Sequence, residues 1–87
     1  MDILPFANEF AVATDQRWRE LLARITIRPD QLGGVPCVRG MRLPVTTILG
    51  GLAEGLTPEQ IMAHYPSLEL DDIRAACAFA VETLDPD

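Results

Sequence analysis

Apolar positions change their spacing several times along this 87-residue chain, and each change marks an element. Trp18, Leu21, Leu22 and Ile25 recur at i, i+3, i+4 and i+7, the period of a helix buried on one face. Asp15 is placed to cap that helix, and its end is expected near Arg24. Ile25-Thr26-Ile27 alternates and is β-branched, which predicts a short strand stopped by Pro29 and Asp30. Gly33 to Val45 reads GGVPCVRGMRLPV, two β-prone runs around a Gly-Met step. It predicts a hairpin in which Val38 and Arg39 pair with Arg42 and Leu43 across a type II′ turn, Gly40 first. Gly33, Gly34 and Pro36 turn the chain into it.

After Pro44 the period lengthens to that of a helix, with Val45, Ile48, Leu49, Leu52 and Ala53 on one face, Thr46 as cap and Gly55 in the C′ role. Gly50 and Gly51 inside it each cost about 1 kcal/mol relative to alanine, so a close approach to another backbone is expected there. Thr57, Pro58 and Gln60 form a capping box with proline at N1, and Leu56 and Ile61 sit as a hydrophobic staple. They predict a helix from Pro58 to Tyr65, which Pro66 ends. A last helix over about Leu70 to Leu84 carries Leu70, Ile73, Cys77, Ala80, Val81 and Leu84 on one face. Asp71 and Asp72 stand in its first turn, where the helix dipole favours them. The expected fold is mainly α: a three-helix, helix-turn-helix-like bundle with a small N-terminal β-hairpin, winged-helix-like, plus an N-terminal arm and helix. Residues 1–24 are read as arm and short helix, residues 25–87 as the helix-turn-helix domain.

Charge changes this picture because it is polarised. The net charge is −6, with −2 over residues 1–23, +3 over residues 24–43 and −7 over residues 54–87. All seven cations are arginine. Arginine's planar fork suits bidentate contact with carboxylate or phosphate, although a lysine-free composition also follows from a GC-rich genome. Cys37 and Cys77 have no metal-ligand spacing and are expected as small buried apolar groups. His64 is the only histidine and is expected to face solvent. No nucleophile and base stand at a recognisable spacing, and no glycine loop is built for phosphate. A catalytic role, a cofactor and a metal are therefore not expected. The opening residues carry Asp2 and Glu9, have no basic start and are too short to span a bilayer, so a cytoplasmic protein is expected, without membrane contact.

The run from Ile25 to Ala80 resembles the bacterial domain-of-unknown-function family 433. Its pattern is an alternating strand, a D-x-x-x-GG-x-P-x-x-x-G-x-R-x-P-V hairpin, a helix ending in G-[LM]-[ST], a short helix ending in YP and a DIRAA-type helix. The matching positions are Gly33, Gly34, Pro36, Gly40, Arg42, Pro44 and Val45, then Gly55, Tyr65, Pro66, Asp72 and Ile73. Met41 and Glu69 depart from the threonines usual at those places, leaving Ser67 as the better expected cap for the last helix. The resemblance implies an antitoxin-like small protein that neutralises a PIN-like ribonuclease toxin and binds its own operator DNA. A stand-alone helix-turn-helix regulator without a toxin is the alternative.

The arginines carry whichever function holds. Arg28, Arg39, Arg42 and Arg74 are the candidate contacts to a partner protein or nucleic acid, with Gly33, Gly34, Pro36, Gly40, Pro44, Gly55, Thr57 and Pro66 as structural motif positions. Arg39 and Arg42 at a hairpin tip could insert among the metal-binding carboxylates of a nuclease. Equally, Arg42 or Arg39 could pair within the chain with Asp72 or Asp71, pinning the hairpin to the last helix. Direct DNA reading meets an obstacle, because Glu69, Asp71 and Asp72 would lead the third helix into the groove with only Arg74 to offset them. Ile3, Leu4, Phe6, Phe10, Val12 and Trp18 suggest an arm packed on the domain or on a second copy, and a homodimer is expected.

Overall fold

The computed structural model describes residues 15–85. In chain order the elements are α1 (Asp15–Leu22), β1 (Ile25–Thr26), a single 3₁₀ turn at Leu32–Gly34, β2 (Cys37–Val38), α2 (Val45–Ala53), α3 (Pro58–His64) and α4 (Leu70–Leu84). The fold is mainly helical with a two-stranded antiparallel sheet, as the sequence periods predict. The expected arm residues Ile3, Leu4, Phe6, Phe10 and Val12 lie outside the described residues.

The sheet is assembled differently from the expected hairpin. β1 pairs with β2, Ile25 opposite Val38 and Thr26 opposite Cys37. Val38 N–H donates to Leu43 O at 3.1 Å and Cys37 bridges to Pro44, so the return strand does lie alongside. Arg39 and Arg42, however, do not face each other. The chain turns one residue earlier, with Met41 N–H bonded to Val38 O at 2.8 Å and both Arg39 (φ 45°) and Gly40 (φ 72°) left-handed. Positive φ at both central positions is the type I′ signature, the other turn that matches strand twist, so Gly40 is second in the turn. Gln31 Nε2 donates to Gly40 O at 2.7 Å, and Gly40 N–H donates to Thr26 Oγ1 at 2.9 Å, fastening the turn to β1.

Helix ends follow local chemistry, with two corrections. Thr46 does not cap α2. Pro44 occupies that place without a side-chain bond, while Val45 N–H reaches Pro36 O and Thr47 N–H reaches Pro44 O, both at 3.0 Å. At the other end Gly55 (φ 99°) donates to Leu52 O and Leu56 to Gly51 O, a Schellman closure that fulfils the expected C′ glycine. The α3 capping box is formed as expected, Gln60 N–H to Thr57 Oγ1 at 3.1 Å and Thr57 N–H to Gln60 Oε1 at 2.8 Å. Ser67 does not cap α4; Glu69 does, and its N–H donates to Asp72 Oδ2 at 2.8 Å.

Val38, Val45, Ile48, Ile61, Leu68, Ile73 and Ala76 bring β2, α2, α3 and α4 into one core. A smaller cluster of Leu21, Ala75 and Ala78, edged by Trp18, Leu22 and Ile25, seats α1 on α4. Trp18 meets Glu82 and Arg24 meets Asp72, so the two helices run antiparallel. A Cβ on Gly51 would press on the Ile61 and Leu56 side chains, so the expected close approach is to side chains rather than a backbone, and a Cβ on Gly50 would meet nothing within 4 Å. Cys37 is buried, whereas Cys77 is exposed, contrary to expectation.

Candidate functional site

One of the four arginines expected to act outward, Arg39, is turned inward, onto Asp72. That carboxylate is fully buried. Arg39 grips it with its fork, Nε to Oδ1 at 2.9 Å and Nη2 to Oδ2 at 2.8 Å. Arg24 Nη1 adds a bond to Oδ1 at 2.9 Å, and the Glu69 N–H supplies the fourth donor. Arg39 Nη2 also donates to Ser67 O at 2.9 Å, and its backbone N–H to Arg24 O at 2.6 Å. Three segments distant in sequence, the end of α1, the hairpin turn and the first turn of α4, thus meet on one side chain.

Burial alone would raise the Asp72 pKa. The Arg39 fork, the Glu69 N–H and the Arg24 guanidinium outweigh it and hold the group below its usual range. Arg39 is raised in turn, chiefly by Asp72, and Arg24 by Glu69 and then Asp72. Arg24 also bonds Glu69 Oε1 at 2.9 Å. Beside this hub, Asp71 takes Arg17 at 2.9 Å and Arg74 at 3.0 Å, and Arg74, with Arg17 and Arg24 behind it, lowers the Asp71 pKa. A carboxylate with four donors has no lone pair left for a metal or for a proton in flight, so the hub is a clamp.

The four candidate contact arginines therefore divide. Arg39 is bound to Asp72 and Arg74 to Asp71. Arg42, the other candidate for pairing with Asp72, is exposed and makes no ion pair among the described residues; Arg39 and Arg24 take that role. Arg28 likewise makes no ion pair among the described residues, and its guanidinium lies over the hairpin turn, where a Cβ on Gly40 would stand 3.1 Å from Nη2. Arg24 is the participant that sequence reading missed. Its signal was faint: a cation at a helix end, just before the run that resembles the family. Gly33, Gly34, Gly40 and Gly55 all hold positive φ, as their motif positions require.

Two open grooves flank α2. One, about 390 Å³, is lined by Thr46, Thr47, Gly50, Glu54, His64 and Tyr65. The other, about 280 Å³, is almost wholly apolar, with Pro36, Val45, Leu49, Phe79, Ala80 and Leu84 on its walls. Among the described residues no group of three or more His, Cys, Asp or Glu side chains could hold a metal, and no helix is long and apolar enough to cross a membrane.

A family described as "Protein of unknown function (DUF433)" matches residues 25–80, and the chain belongs to that family. It is 35% identical over 83 residues to the uncharacterized protein y4eO of Sinorhizobium fredii (strain NBRC 101917 / NGR234), a match covering 92% of this chain and 36% of that protein. The chain thus spans about a third of the length of that relative. Its fold is similar to the crystal structure of a DUF433 member from Anabaena variabilis, with a TM-score of 0.64 and 24% identity, covering 94% of this chain and 89% of the other.

Proposed function

We propose that this chain is an antitoxin-type interaction protein of the cytoplasm, which neutralises a PIN-like ribonuclease by presenting its hairpin arginines to the nuclease's acidic site. One observation carries the reading. Five of the seven arginines are consumed in ion pairs within the chain. The two that make no ion pair among the described residues, Arg28 and Arg42, both belong to the hairpin region, and Arg28 overlies its turn. An unpaired guanidinium gains most from a carboxylate elsewhere, where charge-assisted bonds are short and strong. Arg28 thus joins Arg42 in the role first expected of Arg39. The test is co-expression with the neighbouring gene. The tagged wild type is expected to retain a PIN-like protein and restore growth, and an Arg28→Ala, Arg42→Ala variant to lose both. Retention and rescue by that variant would sink the arginine mechanism.

Operator binding is the second reading, supported by the short Tyr65–Glu69 turn between α3 and α4. The leading end of α4 is acidic and Asp72 is buried there, so phosphate contact in this reading falls to Arg28 and Arg42 as a wing. A salt-dependent shift of the promoter fragment that the same double variant abolishes is the expected result.

A further inference from the structure

The apolar face expected on α4 is divided between two directions. Ile73 and Ala80 turn toward α2 and β2, while Ala75 and Ala78 turn toward α1. Between them lies a third face that nothing in the described chain covers. Leu70 is 38% exposed, Val81 46% and Leu84 81%, and Cys77 is exposed with them. Positions 70, 77, 81 and 84 fall at i, i+7, i+11 and i+14, which is one seam of a helix.

We propose that a second copy of this chain packs on this face, the two α4 helices antiparallel, with Cys77 at the two-fold axis. The order of residues along the seam supplies the argument. An isologous contact must match itself when reversed. Cys77 stands midway between Leu70 and Leu84, so reversal about it lays Leu84 on the partner's Leu70 and Val81 beside the aliphatic stem of the partner's Arg74. Every residue meets an apolar surface. The only charge on the seam, Arg74, is already paired with Asp71 at 3.0 Å, so two copies approach here without an unpaired like charge between them. Elsewhere both carry the chain's net charge of −6. Beside the seam, Leu84 is also a wall of the apolar groove formed with Val45, Leu49 and Phe79, which gives the partner's helix end a recess to enter. The seam runs only about 21 Å along the helix, so the contact is at the small end of specific interfaces and forms a weak, concentration-dependent dimer. This proposal does not depend on the ribonuclease reading.

Sedimentation of the 87-residue chain between about 1 and 200 µM tests it, with a short bismaleimide as a thiol cross-linker. The wild type is expected to pass from monomer to dimer and to cross-link through Cys77, since Cys37 is buried. Added salt is expected to strengthen the association by screening the repulsion between copies. Val81→Asp with Leu84→Asp alters two exposed side chains and leaves the core intact, which circular dichroism would verify; it is expected to weaken dimerisation at least tenfold. Cys77→Ser should abolish cross-linking only. A mass that stays monomeric throughout, or a dimer indifferent to the double aspartate variant, would overturn the proposal. So would a monomer that becomes a dimer once residues 1–14 are removed, because the face would then be covered by the same chain.

Discussion

Four donors converge on the Asp72 carboxylate, and their number sets what its loss does. Asp72→Asn keeps the size but removes the charge, leaving the Arg39 and Arg24 guanidinia against a neutral amide whose own N–H groups oppose them. Breaking a buried pair from one side costs about 3–5 kcal/mol, and the partial exposure of both arginines puts the loss near 3 kcal/mol, read from the urea midpoint. Arg39→Lys is expected to lose part of this, because an ammonium cannot reproduce the fork. The same carboxylate makes stability depend on pH. Its folded pKa lies below the unfolded value of 3.8, so the unfolded chain binds the proton more readily between the two. Asp72's contribution is therefore complete above about pH 4 and falls as the pH drops through the folded pKa. Acid titration of unfolding should show this fall in the wild type and a shallower one in Asp72→Asn. The hub also explains Arg39's left-handed backbone (φ 45°), a conformation costing about 1–2 kcal/mol for a side-chain residue and held here by the bonds to Asp72.

Within α2 two adjacent glycines separate conformational cost from packing. A Cβ at Gly50 would meet nothing within 4 Å, whereas one at Gly51 would lie 3.3 Å from Ile61 Cδ1, on a side chain that is itself buried. Gly50→Ala is thus expected to stabilise the protein by about 0.5–1 kcal/mol through helix propensity and a less flexible unfolded chain. Gly51→Ala should gain less or lose, because Ile61 must shift; thermal melts of the two single variants measure the contrast. The same division between local and distant causes decides what the sequence reveals. Thr57-Pro58-Gln60 and Gly55 fix the ends of α3 and α2 through atoms three to five residues away, so both were legible. Arg39 and Arg42 were not distinguishable, because a one-residue change of turn exchanges them, and which one meets Asp72 depends on a contact 33 residues away. Thr46 and Ser67 were plausible caps by residue type, but the Pro36 and Pro44 carbonyls in one case and the Asp72 carboxylate in the other already satisfied the helix starts.

At the scale of the molecule, α1 is bound to the rest at both ends and in the middle. Trp18 Nε1 donates to Glu82 at 2.8 Å, Leu21 covers Ala75 and Ala78, and Arg24, just past the helix, supplies one of the two arginines on Asp72. A chain beginning at Ile25, the boundary expected for the helix-turn-helix domain, keeps the hairpin and the three later helices yet uncovers that side of α4. It also leaves the buried carboxylate with Arg39 alone as its cation. Burying one large apolar side chain contributes about 1.5–3 kcal/mol, and the lost ion pair adds to it. The deficit is comparable with much of the 5–15 kcal/mol that holds a small domain folded. A chain beginning at Asp15 is therefore expected to melt cooperatively, and one beginning at Ile25 to melt at least 10 °C lower or without a sharp transition, since about 1 kcal/mol shifts a domain of this size by 4–8 °C. Equal melting temperatures would mean that α1 is an appendage and that the Arg39 fork suffices for Asp72. Any partner that pulls α1 away would, by the same coupling, loosen the hairpin turn through Arg24, Asp72 and Arg39, although that turn lies outside the helix contacted.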